Sequence, residues 1–213
     1  MHFKVLLTME KEKYIEDLHE IKEMMTRSSR FISLSGMSGV LAGLVALIAA
    51  YAAYKTVYAA QDYLGYRVAS ITTESMLTLM AIGLIAIILA VGSGIVFSMR
   101  KARKNKQPVW SIQTKRMLVN FSIPLLSGGI LTLILLLKGY VGLIAPLTLI
   151  FYGLALIQAS HFTLKEVKSL GLLEILLGLC ATWFIGFGLL FWAMGFGLLH
   201  IVYGILMELR YPS

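Results

Sequence analysis

Long apolar runs alternate with short basic segments along the whole chain. Six of these runs approach the roughly 20 residues that a helix needs to cross a bilayer core of about 30 Å. They cover residues 31–54, 75–99, 117–137, 141–160, 169–191 and 193–209. Backbone amides in lipid must be satisfied internally, and barrel strands would be short and alternating. The pattern therefore predicts an all-α, polytopic bundle of six transmembrane helices over residues 31–210.

The boundary between the fifth and sixth runs is weakly marked. We place it at a short break near residues 192–197. A five-span arrangement would move Arg210 to the opposite side of the membrane. The prediction of six spans therefore depends mainly on the length of the stretch 169–209.

Basic residues are distributed unevenly between the two sets of loops. With six spans, 16 of the 19 Lys and Arg residues fall on one side, and only Lys55, Arg67 and Lys138 fall on the other. Cytoplasmic loops carry the excess of Lys and Arg in membrane proteins. The distribution predicts a multi-pass protein of the inner membrane with both termini in the cytoplasm.

The composition changes this picture little. The chain is 58% hydrophobic and 14% charged, whereas soluble domains have roughly 25% charged residues. The net charge of +8 would suit a nucleic-acid partner, but the basic residues lie where the topology requires them, so we predict none. A contact with anionic lipid headgroups is the alternative function of one cluster, although orientation is the simpler explanation. That cluster consists of Arg100, Lys101, Arg103 and Lys104.

The segment 1–30 is charged and is predicted to form a cytoplasmic or interfacial amphipathic helix before the first span. Its apolar residues Tyr14, Leu18, Ile21 and Met25 fall on one helical stripe. Such a stripe can lie on the membrane, pair with another copy or dock on its own bundle, and docking is the default. The segment lacks the apolar core of a secretory signal, so we expect the first span to act as an uncleaved targeting signal.

The first span also carries small residues at a spacing of four, namely Ser35, Gly39 and Gly43. Small residues on one face allow two helix backbones to approach closely in a membrane. The face therefore predicts helix packing. The neighbouring helix can belong to the same chain, which we favour, or to a second copy or another protein partner.

Two ionisable side chains, Glu174 and His200, lie well inside the predicted spans. Such residues are costly in lipid and are candidates for function. Glu174 is about one turn into the fifth span from the inner side, and His200 is about two turns into the sixth from the outer side. At roughly 1.5 Å per residue their depths differ by about 15 Å, so we predict that they do not pair directly.

Each of these residues has a functional and a structural interpretation. Glu174 can bind a proton or cation, or it can reach the interface or pair with Lys165 or Lys168. His200 can relay protons or ligate a metal, or it can form an interhelical hydrogen bond to a tyrosine or threonine. We favour the structural interpretation of both. The wider candidate polar site consists of Glu174, His200, Gln158, Asn120, Tyr152 and Tyr203.

The sequence lacks the residue patterns that indicate a metal site or hydrolysis within the membrane. The single cysteine is Cys180, and no Cys/His spacing of a metal site occurs. The spans contain no aspartate and no serine–histidine arrangement that would indicate hydrolysis in the membrane. We therefore predict no metal, no cofactor and no catalytic residues, and we lean against an enzyme.

Four segments share a likeness with known sequences: residues 24–36 with the Gly/Ala-rich span that follows, 152–156, 163–166 and 171–175. These segments resemble a family of small six-span bacterial inner-membrane proteins without a known activity. The resemblance implies the fold but no site residues. From the sequence we predict a structural, sensory or partner-binding membrane protein. The alternative is a small channel or carrier for ions, protons or small molecules that uses Glu174 and His200.

Overall fold

The computed structural model describes residues 35–58, 62–63, 66–67, 72–105 and 109–212, so the predicted helix in 1–30 lies outside the described residues. The architecture is helical, with one two-stranded antiparallel pairing in which β1 (Asp62–Tyr63) contacts β2 (Tyr66–Arg67). The α-helices are α1 (Gly36–Tyr58), α2 (Thr73–Lys104), α3 (Ile112–Leu137), α4 (Ile144–Ser160), α5 (Lys165–Trp183), α6 (Gly188–Trp192) and α7 (His200–Arg210). A π-helix, Ala193–Leu199, joins α6 to α7 without a break.

Within the described part of the chain, five helical stretches are long and apolar enough to cross a membrane. They are Gly36–Val57, Thr73–Lys104, Ile112–Leu137, Val141–Ser160 and Ile185–Arg210. The remaining long helix, α5, covers most of the fifth predicted span, but it carries Lys165, Glu166, Lys168 and Glu174. Because α5 has only 19 residues, every 18-residue stretch of it contains at least three of these charges, whereas each of the other five helices contains such a stretch with no more than two.

Side chains at the loop boundaries determine where two of the helices begin. The Thr72 hydroxyl accepts a hydrogen bond from the Ser75 amide, and the Ser75 hydroxyl accepts one from the Thr72 amide. This reciprocal capping box satisfies two donors that the first turn of α2 leaves free. Ser111 caps α3 in a simpler way, because its hydroxyl accepts from the amide of Thr114.

The helix termini gather at two ends of the bundle. At the basic end, defined by the end of α2 and the start of α5, the last turn of α7 together with Tyr211 contacts both helices and the start of α1. At the opposite end, which we call the hairpin end, the turn before α4 packs against the turn after α5. A Cβ atom placed on Gly142 would lie 2.5 Å from the Ile185 side chain.

The predicted break at residues 192–197 is wrong. The chain turns at Phe184 and through a short 3-10 helix, Ile185–Phe187, and it is then helical as far as Arg210. The glycines of the expected break instead permit close packing. A Cβ atom on Gly195 would lie 2.5 Å from a carboxyl oxygen of Glu174, and one on Gly197 would overlap the side chain of Leu47.

Two pairs of helices are packed so closely that, within each pair, the helix backbones contact each other. In the first pair, α4 and α5, a Cβ atom on Gly153 would lie 2.5 Å from the Gly171 carbonyl oxygen, and one on Gly171 would lie 2.7 Å from the Gly153 carbonyl oxygen. The second pair consists of α1 and the continuous helical run formed by the π-helix and α7. A Cβ atom on Gly43 would lie 2.6 Å from the Gly197 carbonyl oxygen. Close approach of this kind supplies packing energy where lipid gives little hydrophobic drive.

The small-residue face of the first span lies inside this second pair. Ser35 is buried, and a Cβ atom on Gly39 would lie 3.2 Å from the Cα atom of Gly204. Gly43 contacts the π-helix, as described above. The partner of this face is therefore a helix of the same chain.

Helices α2 and α3 each pack against one helix of these pairs. Helix α2 packs along α1, and α3 packs along α4. No residue of the most apolar 18-residue stretch of α2 is buried, and only 6% of the corresponding stretch of α3 is buried. The interior therefore belongs to α1, α4, α5 and the continuous run from α6 to α7.

Candidate functional site

Three polar side chains from different helices meet between the two pairs. The Tyr152 hydroxyl of α4 lies 2.8 Å from Nε2 of His200, at the start of α7. The other ring nitrogen, Nδ1, lies 3.4 Å from Oε1 of Glu174 on α5. The prediction that Glu174 and His200 are far apart in depth is therefore wrong.

The position of the turn explains this error. Glu174 precedes the end of α5 by nine residues, and His200 follows the start of α6 by twelve. At roughly 1.5 Å per residue these positions are about 14 and 18 Å from the turn. The two side chains therefore lie at similar distances from the turn, close to the same level of the bundle.

The hydrogen-bond partners of His200 define its tautomer. Its Nδ1 lies 3.0 Å from the carbonyl oxygen of Gly195, which can only accept, so Nδ1 carries a hydrogen and donates it. In the neutral ring Nε2 then accepts the hydrogen of the Tyr152 hydroxyl. The interhelical hydrogen bond to a tyrosine that the sequence suggested for His200 is present.

Glu174 is the most deeply buried ionisable residue of this group, with 0% of its surface exposed. Within the described part of the chain neither carboxyl oxygen has a hydrogen-bond partner. The predicted alternatives of an interfacial side chain or a pair with Lys165 or Lys168 are therefore wrong. An unpartnered buried polar group is destabilising, by about 1–3 kcal/mol.

The backbone of the π-helix makes room for this carboxyl group. A Cβ atom on Gly195 would lie 2.5 Å from both Oε2 of Glu174 and Cδ2 of Leu149. The same residue provides the carbonyl oxygen that accepts from His200. π-helical turns frequently occur at functional sites, and this one positions two site residues at once.

Aromatic and apolar side chains surround the polar cluster. The Phe196 ring lies 4.9 Å from that of Tyr152 and is stacked on His200 at 6.0 Å, centroid to centroid. On the hairpin side, Leu149 and Pro146 are fully buried. The polar atoms therefore lie in a low-polarity environment, where electrostatic interactions are strong and unpaired charge is costly.

An apolar cluster separates the site from the basic end. It consists of Leu156, Leu164, Val167, Leu170 and Met207, and we call it the apolar plug. Tyr152 packs against it from the side of the site, and Tyr211 packs against it near the end of the chain. Just beyond the plug, Arg210 forms an ion pair with Glu166.

The other predicted polar residues do not join the cluster. The Gln158 side chain is exposed. Asn120 donates a hydrogen bond from Nδ2 to the Arg116 carbonyl oxygen of its own helix, at 2.8 Å. Tyr203 packs against the apolar plug. The sequence prediction did not include Gly195, and the only signal for it was a glycine in an apolar run, which we interpreted as a break.

The basic cluster considered for lipid contact is divided by the fold. Arg100, Arg103 and Lys104 are exposed. Lys101 is buried, and its Nζ donates a hydrogen bond to the carbonyl oxygen of Tyr211 at 2.6 Å. Its ammonium group therefore ties α2 to the end of α7.

The fold and the cluster define a class: a multi-pass helical membrane protein with a carboxyl, an imidazole and a phenol in its interior. In the described residues no three His, Cys, Asp or Glu side chains form a group that could hold a metal ion. No protein-family model, curated protein or solved structure matches the chain. The function therefore has to be inferred from the geometry itself.

Proposed function

We propose that the protein is a proton carrier that takes up a proton on Glu174, beside His200, from one side of the membrane and releases it on the other. In this proposal all six predicted spans cross the inner membrane of a bacterium, with both termini in the cytoplasm. A carrier that uses Glu174 and His200 is the alternative function that the sequence suggested.

The observation that carries the proposal is the environment of Glu174. Its carboxyl group is fully buried in the middle of the bundle, lacks a hydrogen-bond partner among the described residues and lies 3.4 Å from an imidazole nitrogen. A scaffold would gain more from an apolar residue at this position, because an unpartnered polar group destabilises the fold. Ionisable residues that face the interior of a membrane bundle mark ion pathways and proton relays.

The geometry supports reversible proton exchange. With the proton on Glu174, both the carboxyl group and the imidazole of His200 are neutral. When the proton leaves, the carboxylate remains beside the Nδ1–H group, which needs only to turn from the Gly195 carbonyl oxygen to Oε1. The resulting charge-assisted hydrogen bond stabilises the deprotonated state. The Tyr152 hydroxyl keeps Nε2 satisfied in both states.

Burial of the site favours a carrier over an open channel. The apolar plug separates it from the basic end, and Leu149 and Pro146 cover it toward the hairpin end. Protons then cross only if the helices rearrange to expose Glu174 to each side in turn. A carrier has such an occluded state as one of its intermediates.

The test is proton flux into liposomes that contain the purified protein. A potassium gradient with valinomycin sets the membrane potential, and a trapped pH-sensitive dye reports the internal pH. We expect potential-driven proton uptake with the wild-type chain and its loss with Glu174→Gln, which preserves shape but cannot release a proton. The matched control is Glu74→Gln, because Glu74 is exposed in the first turn of α2. Equal flux in wild type and Glu174→Gln would refute the proposal.

A further inference from the structure

The candidate site lies on a boundary between two tightly packed units. Tyr152 and Glu174 belong to the α4–α5 pair, and His200 and Gly195 belong to the run that packs on α1. Within each unit the contacts reach backbone atoms, so neither unit can shear without steric overlap. We call the boundary between the two units the seam.

At the basic end, polar contacts cross the seam at Glu166. Nη1 of Arg210 lies 2.9 Å from Oε1 of Glu166, and the Tyr211 hydroxyl donates to the same oxygen at 3.4 Å. The Arg210 side chain is 70% exposed, and ion pairs of such exposed groups contribute little to stability. We call these contacts the latch.

The rest of the basic half of the seam is the apolar plug. Its members come from both units: Val167 and Leu170 lie on α5, and Met207 lies on α7. Methionine has a flexible and adaptable side chain, and aliphatic contacts have no directional bonds to break. This half can therefore separate without leaving polar groups unsatisfied.

The hairpin half of the seam is built differently. The turn at Phe184 joins α5 directly to α6, so the two units are covalently connected there. Gly188 packs close to the Ala145 side chain, and Ile185 fills the space beside Gly142. This end can act as a hinge while the basic end separates.

The last turn of α7 and Tyr211, which follows it, are held to α1 and α2. The Met37 amide at the start of α1 donates to Oε2 of Glu208 at 3.3 Å. Lys101 donates to the carbonyl oxygen of Tyr211. When the latch breaks, this turn therefore stays with α1 and α2 while Glu166 leaves with α5.

We propose that the seam opens at the basic end, between α5 and α7, and that the Glu166–Arg210 latch controls access of water and protons to Glu174 from that side. This inference rests on the proposed function and specifies how its site is regulated. Opening requires separation of the plug, so residues of the plug become accessible to water before Glu174 does.

The test measures access to the seam directly. In a Cys180→Ser background, Val167→Cys places a thiol of nearly the same size in the plug, and its reaction with a water-soluble methanethiosulfonate reagent is followed over time. We expect slow labelling that Arg210→Gln accelerates about two- to fivefold, as loss of one exposed ion pair allows. The control is Ala181→Cys, a fully buried position near the hairpin end of α5. Its labelling should not change.

Each outcome decides the inference. It is overturned if Arg210→Gln leaves Val167→Cys labelling unchanged, or if it accelerates labelling of Ala181→Cys equally, since that would indicate general loosening. If Val167→Cys does not fold, Met207→Cys probes the opposite wall of the plug by the same criteria.

The readout is independent of proton flux. Accelerated labelling in a protein without flux would contradict the proposed function and leave the opening seam in place. Flux without accelerated labelling would contradict the opening of the seam and leave the proposed function in place.

Discussion

Replacing Gly153 with alanine tests the close packing of α4 on α5. The added Cβ atom would lie 2.5 Å from the Gly171 carbonyl oxygen, 2.7 Å from Cγ1 of Ile175 and 3.0 Å from the Ile175 amide nitrogen. Ordinary contact begins at 3.4 Å, so the helices would have to separate by close to 0.9 Å, the difference between 3.4 and 2.5 Å. Two of the three neighbours are backbone atoms, so a change of rotamer cannot relieve the overlap.

Two opposing contributions determine how Gly153→Ala changes the free energy of unfolding. Overpacking of a well-packed interior costs typically about 1–3 kcal/mol, and rigid backbone neighbours place Gly153→Ala in the upper half of that range. Alanine is favoured over glycine in a helix by about 0.8–1 kcal/mol. We therefore expect a net destabilisation of about 1–2 kcal/mol. Because Tyr152 is the adjacent residue, its hydrogen bond to His200 should also weaken.

The matched control is Gly129→Ala on α3, where nothing lies within 4 Å of the added atom. Only the higher helix propensity of alanine applies there, so the free energy of unfolding of this variant should be equal to that of the wild type or up to about 1 kcal/mol higher. Both variants are compared with wild type by reversible unfolding in mixed detergent micelles, followed by circular dichroism. If Gly153→Ala proves as stable as Gly129→Ala, the inferred backbone contact between α4 and α5 is incorrect.

Two further variants examine the site itself. Tyr152→Phe removes the donor to Nε2 of His200, so we expect a stability loss of about 1 kcal/mol in the same unfolding assay and a changed ¹⁵N shift of the ring nitrogen, and an unchanged shift would argue against the bond. Gly195→Ala places a methyl group against the Glu174 carboxyl group and should reduce proton flux in liposomes. Gly186→Ala, whose methyl group has open space around it, should not; equal flux in both would count against a positioning role for Gly195.

Much of the helical architecture follows from the sequence because lipid imposes simple rules. Apolar runs of sufficient length between basic residues gave helices close to the observed α1, α2, α3 and α4. The turn between the last two predicted spans was misplaced because Phe184 and its neighbours are as apolar as the helices they join. Glycine is ambiguous in such sequences, since it suits both turns and close helix contacts. Gly195 and Gly197 serve the second purpose.

The composition of the site was easier to predict than its geometry. Glu174, His200 and Tyr152 were recognisable as candidates because polar side chains are rare in these spans. Their contact depended on the position of the turn, and an error of about two helical turns there displaced His200 from Glu174 in depth. The contribution of Gly195 depends on a π-helical turn, which no periodicity in the sequence indicates.

The flanking position of α2 has a consequence for how the chain can vary. This helix has 32 residues, its most apolar stretch has no buried residue, and Gly83, Gly92 and Gly94 face open space. Its middle therefore encodes little beyond hydrophobicity and length, and a generic leucine–alanine sequence should replace it at little cost. The specificity of the fold is concentrated instead in a few glycines of α1, α4, α5 and the π-helix, where one methyl group is already too large.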